Sequence, residues 1–538
     1  MAGLVGLIVK QNEVNYDHIK DIFSNMLKSL DHRGKYYYIY NGETFDVYNS
    51  YNKFEIDYCK QGFLIGFIVD ERCKFLEINT KLPAVISDGI YYDDENFMSF
   101  LNGRKTRHSK FRNNSNCKLC KQLHLLLKSK SGTDLVDELK KLIVSIDPRF
   151  QEQTSVIILQ NGIYLVKDLL GIHPLFILNT RDFTSFSSER KAFWKNKLNG
   201  EIFHLKPGSI IKITNKFVKE LYHRPVSSVI KFGTMLSDTM INEIKKNLLD
   251  SIYRRLSVSD NNIGLFYSGG LDSSLLKFYL EKYGPKIFPF IVGIPGSKDL
   301  ITSSISDDVV ILVEIDKNNL LERMIKILEI IEQPDFLALE IAFLFYYGIL
   351  EAKKFGLKNI MVGQGADELF CGYKKYQRFL KADYQLYINN INRDLDSLAF
   401  QNLEASELVA SYFGTRLYFP YLDISLIQTV RAVEPKHHID LKKGINKLIL
   451  RKIASQEKID QEITNKKKYA LQYSSGIHHT FDKFIRNLGF NKFLSKELGY
   501  ENRYRELFMD YSFFILKYPT KLTTNQFEKI NKKIKVKY

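Results

Sequence analysis

The sequence predicts two architectures in series: stacked antiparallel sheets with covering helices, then an α/β unit with a parallel sheet and a helical extension. Three observations predict it. Up to about residue 220, apolar runs of strand length alternate with turns rich in Gly, Asn and Asp. From about Leu236 the apolar period lengthens to three and four, and strands begin to alternate with helices. At 538 residues and 45% apolar content, the chain is globular and too long for one ordinary core.

The first-half runs are GFLIGFIV (62–69), AVISDGIYY (84–92), SVIILQNGIYLVKD (155–168), PLFILNT (174–180), FTSFSS (183–188) and SIIKITN (209–215). Amphipathic stretches at Tyr16–Ser29 and Leu135–Val144 are predicted to cover the sheets. A boundary is expected within 221–234, which gives domains at 1–225 and 236–538. After a helix over MLSDTMINEIKKNLLDSIYRRL come a strand (Ile263–Tyr267), a helix (Ser273–Tyr283) and strands at Ile287–Gly293 and Val309–Ile315. Helices at Leu320–Ile331 and Glu340–Phe355 and a strand at Asn359–Val362 complete a parallel sheet with helices on both faces. Beyond residue 375 the chain reads as mostly helical.

Charge and cysteine usage narrow the class. The 78 Lys and Arg against 61 Asp and Glu give +17, which fits a nucleic-acid partner, a polyanionic substrate such as ATP, or a Lys-rich surface. The lysines are spread along the chain without an aromatic-studded basic module, so nucleic acid is not expected. Five cysteines, Cys59, Cys73, Cys117, Cys120 and Cys371, are too few and odd in number for a disulfide framework and fit a reducing compartment. CKLC at 117–120 has metal-ligand spacing and is flanked by His108 and His124, but there is no second pair, so the cysteines are read as unpaired surface thiols. The segment FLALEIAFLFYYGILEAKK carries Glu340 and Glu351 and reads as a buried helix, not a membrane span. With no basic leader at MAGLVGLIV, the expectation is a cytoplasmic protein that makes no membrane contact.

The chemistry concentrates in IGLFYSGGLDSSLL (263–276). Its polar centre lies at the carboxyl end of a predicted strand and opens a helix, where ligands bind in parallel sheets and where free N–H groups suit phosphate. Gly269 and Gly270 permit close approach to an anion, and Ser268, Ser273 and Ser274 add hydroxyls. Asp272 would repel phosphate unless it holds magnesium that the phosphates share. The spacing is that of neither a P-loop nor a dinucleotide turn.

SGGLDSS resembles the pyrophosphate loop of the PP-loop ATP pyrophosphatases, which adenylate a substrate and release pyrophosphate. GQGADELFCGY (363–373) resembles the second pyrophosphate and magnesium motif of one branch, the asparagine synthetases. VGIPGSKDL (292–300), IEQPD (331–335), FPYLD (419–423), KLILR (447–451) and KKYALQYSSG follow in the family's order. The resemblance implies nucleotide binding by Ser268, Gly269, Gly270, Leu271, Asp272, Ser273, Ser274, Val292, Gly293, Gly363, Gln364 and Gly365. It implies magnesium on Asp272 and Asp367, a further carboxylate from Glu368, and transition-state stabilisation by Lys447.

HRG (32–34), DLLGIHPLF (168–176), FSSERKAF (186–193) and LKPGS (205–209) resemble the same family's class II glutaminase domain, an αββα fold of the Ntn-hydrolase type. That chemistry requires an amino-terminal Cys, and Ala2 stands there instead. Where the family forms its oxyanion hole the chain reads DGIYYD (88–93), with Asp88 in place of a neutral Asn; only Gly89 and Arg33 persist. The expectation is an inactive glutaminase joined to a ligase that consumes ATP and a carboxylate, most simply aspartate. Ammonia would arrive free or from a separate glutaminase, and a homodimer is the candidate assembly. Gln364 replaces a family Glu, while Arg416 and Tyr418 replace a Glu and an Arg, which leaves the acceptor open. A different acceptor, or a non-catalytic scaffold, are the alternatives.

Overall fold

The computed structural model describes residues 2–10, 15–49, 62–71, 82, 84–90, 115–128, 133–144, 152–230, 233–259, 262–284, 286–304, 310–315, 318–465 and 470–534. The amino-terminal half holds two antiparallel sheets. The first contains β1 (Gly3–Val9), β2 (Tyr36–Tyr40), β3 (Phe45–Tyr48), β4 (Phe63–Val69), β8 (Phe176–Asn179), β9 (Phe183–Ser187) and β10 (Glu201–His204), in the order β10-β8-β9-β1-β4-β2-β3. The second contains β5 (Ala84–Ile90), β6 (Glu152–Leu159), β7 (Gly162–Lys167), β11 (Ser209–Ile213) and β12 (Val218–His223), in the order β12-β11-β7-β6-β5.

Alternation along β1 shows the layering. Leu4 and Ile8 join Val156 and Ile158 of β6 in the core between the sheets. Val5, Leu7 and Val9 point the other way, onto Phe23 and Leu27 of the helix Tyr16–Lys28 and Phe193 of the helix Lys191–Trp194. On the outer face of the second sheet, Ile157 and Tyr164 meet Leu123, Leu127 and Leu139 of the helices Ser115–Lys128 and Thr133–Val144. The result is the expected αββα sandwich. Strands buried on both faces lose the polar alternation that marks a half-exposed strand; this is why YYYIY at β2 gave no clean strand signal.

After β12 the chain enters the helix Asp238–Ser257, capped by Ser237, whose side chain accepts from Met240 N. A five-stranded parallel sheet follows: β13 (Asn262–Phe266), β14 (Lys286–Gly293), β15 (Ile311–Glu314), β16 (Asn359–Met361) and β17 (Arg416–Tyr418), in the order β15-β14-β13-β16-β17. The helix expected from Glu340 starts earlier, at Phe336, because Asp335 caps it by accepting from Ala338 N. The segment beyond residue 375 is mostly helical, as read, but β17 and a small hairpin, β18 (Ile439–Asp440) with β19 (Ile445–Asn446), were not expected. Strands of two or three residues are too short to set a period. The final helices pack on both halves: the Trp194 ring lies 4.8 Å from Tyr518, and Phe481 lies 4.8 Å from Phe343. Among the described residues no helix is long and apolar enough to cross a membrane.

Candidate active site

Strand order locates the crevice. From β13 the connections run outward to β14 and β15, then return so that β16 lies on the other side of β13. The loops after β13 and β16 therefore leave adjacent strands in opposite directions, opening a gap at their carboxyl ends where ligands bind in such sheets. SGGLDSS leaves β13 and GQGADE leaves β16. Gly269 takes φ +60° and Gly365 φ +89°, conformations that L side chains adopt only with strain. A Cβ at Gly365 would stand 2.3 Å from Leu422. Ser268 N accepts no such crowding: it donates to Ser273 Oγ at 3.2 Å, and Ser274 N donates to Gly270 O at 3.0 Å, so the loop closes onto the start of the helix Leu271–Tyr283.

At the floor of the gap three predicted residues meet. Lys447 Nζ lies 2.6 Å from both carboxylate oxygens of Asp272 and 2.6 Å from Asp367 Oδ1. The lysine is buried and the two acids nearly so. Lys447 itself adopts φ +58°, ψ +38°, a left-handed conformation at the start of the helix Leu448–Gln456. A lysine there costs about 1–2 kcal/mol in backbone energy, and such strain persists where the surroundings dictate the position. Two carboxylates drawn from separate loops onto one cation could hold a divalent ion, since magnesium takes one or two protein carboxylates and fills its shell with water and phosphate. Among the described residues no group of three or more His, Cys, Asp or Glu gathers to hold a metal by itself.

The remaining predicted residues divide. Gly363 faces Asp272: a Cβ there would sit 3.5 Å from the Asp272 Cβ, so the two loops touch. Gly293 ends β14 against Ser297 and the Ser475 carbonyl, which accepts from Ile294 N at 2.9 Å and so ties the VGIPGS loop to QYSSG. Glu368 is buried and accepts from the Tyr373 hydroxyl at 2.6 Å, a different partner from the Lys447 cluster. Arg416 pairs with Asn359 at the starts of β17 and β16, the sheet edge opposite the loops, and Tyr418 is a core residue bonded to Asn359 at 3.2 Å. Their departures from the family pattern fall outside the crevice. Gln364 does face its neighbours there: its Oε1 accepts from Ser406 Oγ at 3.3 Å.

Two supporting residues were not singled out from sequence. A Cβ on Gly372 would lie 1.9 Å from Asp367 Oδ1 and 2.4 Å from Lys447 Cε, so glycine makes room for that contact. The buried Tyr421 donates to the Asp272 carbonyl at 2.9 Å; its burial, with Asp272 nearby, pushes its phenol well above the ordinary range and keeps it a donor. Both sat inside recognised motifs, GQGADELFCGY and FPYLD, but nothing in the string distinguishes a spacer from its neighbours.

The four positions of the altered amino-terminal pocket also come together. Ala2 N donates to Asp88 Oδ1 at 2.7 Å, and Arg33 Nη1 donates to Ala2 O at 2.8 Å while lying 3.8 Å from Asp88 Oδ2. Gly89 takes φ +150°, and a Cβ there would meet the Glu152 carbonyl at 2.2 Å. The carboxylate of Asp88 thus occupies the space beside the residue-2 amide, held by Arg33. Cys120, expected as a surface thiol, is instead buried with His124 on the helix Ser115–Lys128, on the face that packs on the second sheet; His108 and the Cys117 side chain lie outside the described residues.

Residues 243–416 match the asparagine synthase family model. A putative glutamine-hydrolyzing asparagine synthetase of Methanocaldococcus jannaschii is 26% identical over 384 residues, 62% of this chain and 70% of that protein. Asparagine synthetase B of Escherichia coli is 22% identical over 416 residues, covering 72% of this chain and 71% of its own length. Asparagine synthetase 1 of Arabidopsis thaliana is 23% identical, over 74% and 70%. Among solved structures, the glutamine PRPP amidotransferase of B. subtilis with ADP and GMP aligns over 60% of this chain and 70% of that one at 15% identity, with a TM-score of 0.29 too low to argue from.

Proposed function

We propose that this chain, which carries an asparagine synthase family domain at 243–416, is an ATP-dependent carbon–nitrogen ligase that adenylates a carboxylate and amidates it with ammonia. The observation that carries the proposal is the clasp of Lys447 between Asp272 and Asp367, one acid from each loop of the crevice. The loop Ser268–Ser274 would take the β- and γ-phosphates on its backbone N–H groups and serines. Magnesium, when bound, would neutralise phosphate charge beside Asp272 and Asp367. Lys447, 2.6 Å from both acids, would carry its ammonium to the phosphates beside them.

The acceptor carboxylate attacks the α-phosphorus, the bond to the bridging oxygen breaks, and pyrophosphate leaves. Lys447 stabilises the charge that grows on the transferring group. Ammonia then attacks the acyl carbon and AMP departs, leaving the amide. Aspartate is the simplest acceptor and asparagine the product. Glutamine hydrolysis is not part of the proposal, because residue 2 offers no nucleophile and Asp88 would oppose an oxyanion.

Pyrophosphate release from ATP and magnesium, with aspartate and either ammonia or glutamine, tests it. Release with ammonia alone is expected, and Asp272→Asn should abolish it. Equal release with glutamine would overturn the view of residue 2. Release only with a different carboxylate would keep the adenylation and replace the acceptor.

A further inference from the structure

A line of buried polar groups runs from the altered pocket at Ala2 to the loop at Gln364, and it passes through the helix Glu404–Tyr412. Asp88, which accepts from Ala2 N, lies 3.6 Å from His173 Nδ1. The same nitrogen is hydrogen-bonded to Glu407 Oε1 at 3.0 Å. One residue earlier, Ser406 Oγ is placed to donate to Gln364 Oε1 at 3.3 Å or to Leu403 O at 3.0 Å. Asp88, His173, Glu407 and Ser406 are each at most 3% exposed, so water does not replace the contacts among Asp88, His173 and Glu407.

The helix is held firmly on its other side. Glu404 accepts from Arg190 and, at 2.6 Å, from Gln333 Nε2, and it lies 3.4 Å from His204. Arg190 N donates to Glu332 Oε2 at 2.5 Å. Glu404 and Glu407, three apart, share the helix face turned to the amino-terminal half, and Ser406 points off that face toward the nucleotide loop. The loop at Gln364 therefore rests, through Ser406, on a helix pinned at two buried carboxylates.

We infer that His173, Glu407 and Ser406 are positioning residues through which the amino-terminal half sets the loop Gly363–Asp367 for nucleotide binding. The inference rests on the proposed role of that loop in holding the pyrophosphate of ATP. It gives the amino-terminal half a task that needs no nucleophile at residue 2. The charged groups facing His173 are Asp88 from β5, Glu407 from the helix Glu404–Tyr412 and Glu152 from β6, with Arg33 beyond Asp88. Burial alone would lower the His173 pKa, but the carboxylates outweigh it and raise it above the ordinary value. The imidazolium thus clamps two acids below that raised value and releases them as pH rises through it.

The test is affinity for a fluorescent ATP analogue with magnesium, alongside kcat/KM for ATP in pyrophosphate release. Ser406→Ala should weaken affinity roughly three- to tenfold, the scale of one buried hydrogen bond, with little change in melting. His173→Leu should do the same, and the double variant should be no worse than the weaker single, because both act on one loop. Wild-type affinity should fall on the alkaline side, and His173→Gln, which keeps a donor to Glu407 but does not titrate, should lack that limb. Multiplying effects in the double variant, an alkaline limb that survives in His173→Gln, or unaltered affinity in Ser406→Ala would each overturn the inference. If no acceptor supports turnover, the proposed reaction fails, but the affinity measurements still decide the positioning.

Discussion

Replacing Lys447 by Met keeps most of its volume and removes its ammonium. Asp272 and Asp367 each lie within 2.6 Å of Nζ, so their nearest oxygens are separated by no more than about twice that distance. Without the cation, two anions face each other at roughly 5 Å, a repulsion of about 3 kcal/mol at an effective dielectric of ~20. The acids are 13% and 15% exposed, so solvent relaxes some of this, and about 2 kcal/mol is the expected loss. With about 2.1 cal/mol/K per residue over a cooperative unit of ~300 residues, that lowers the melting midpoint by about 3 °C.

Magnesium supplies the missing charge, so it should raise the midpoint of Lys447→Met more than that of the wild type. Turnover should not return, since a metal between the acids does not replace an ammonium on the phosphates. The assay is calorimetry with EDTA or with millimolar magnesium, followed by pyrophosphate release. Equal midpoints for the two proteins in EDTA would show that the two acids do not repel as the geometry requires. Equal magnesium shifts would show that the acids are not the metal's ligands.

Three further outcomes are expected. Gly372→Ala should cut turnover at least about tenfold while the fold survives, because its Cβ would enter the space of Asp367 Oδ1 and Lys447 Cε and part them; steady-state kinetics with a melting control checks it. Ala2→Cys alone should release no glutamate from glutamine, since Asp88 still accepts from residue-2 N, whereas Ala2→Cys with Asp88→Asn is the smallest change for which hydrolysis is worth assaying. Glu332 is fully buried among Lys191, Glu189 and Arg190, and burial pushes its carboxyl up to about 8. A raised carboxyl pKa means the folded state holds a proton the unfolded chain has lost, so stability falls as pH rises from about 4.3 toward that value. Glu332→Gln should therefore melt higher than wild type at pH 8.5, by at least about 1 kcal/mol, and show little difference at pH 4. No gain at pH 8.5 would mean that Glu332 ionises there at no cost.

Much of the fold was legible because its signals are local. The hairpin β6–β7 showed as two apolar runs around Gln160 and Asn161, and the helix Leu320–Ile331 was bounded by its own periodicity. The crevice was legible for the same reason: a strand ending in SGGLDSS states its position relative to the sheet. The convergence of Lys447 on Asp272 and Asp367 was not, because 175 residues separate Lys447 from Asp272 and no spacing rule spans that distance. The resemblance named all three, and the fold brings them onto one ammonium. Glu368 illustrates the converse: adjacency to Asp367 in sequence turned it by one helical step, onto Tyr373.

Contacts between the halves show what the motifs of the first half do when hydrolysis is set aside. In HRG, Arg33 donates from Nε to Glu189 Oε1 at 2.5 Å, and His32 stands against Tyr412 with ring centroids 5.6 Å apart. In GIHPLF, His173 meets Glu407; in SSERKAF, Arg190 meets Glu404 and Glu332, and Lys191 lies 3.8 Å from Glu332. IEQPD supplies Glu332 and Gln333 to the same seam. Each of these motifs resembles a catalytic domain in sequence, yet each places at least one charged or hydrogen-bonding side chain on the other half. Breaking the buried Arg190–Glu404 pair costs about 3–5 kcal/mol, because the partner left behind is an unpaired charge. Substitution at Arg190 or Glu404 would open the seam. The crevice between SGGLDSS and GQGADE is thereby tied to the amino-terminal sandwich by side chains that need no nucleophile at residue 2.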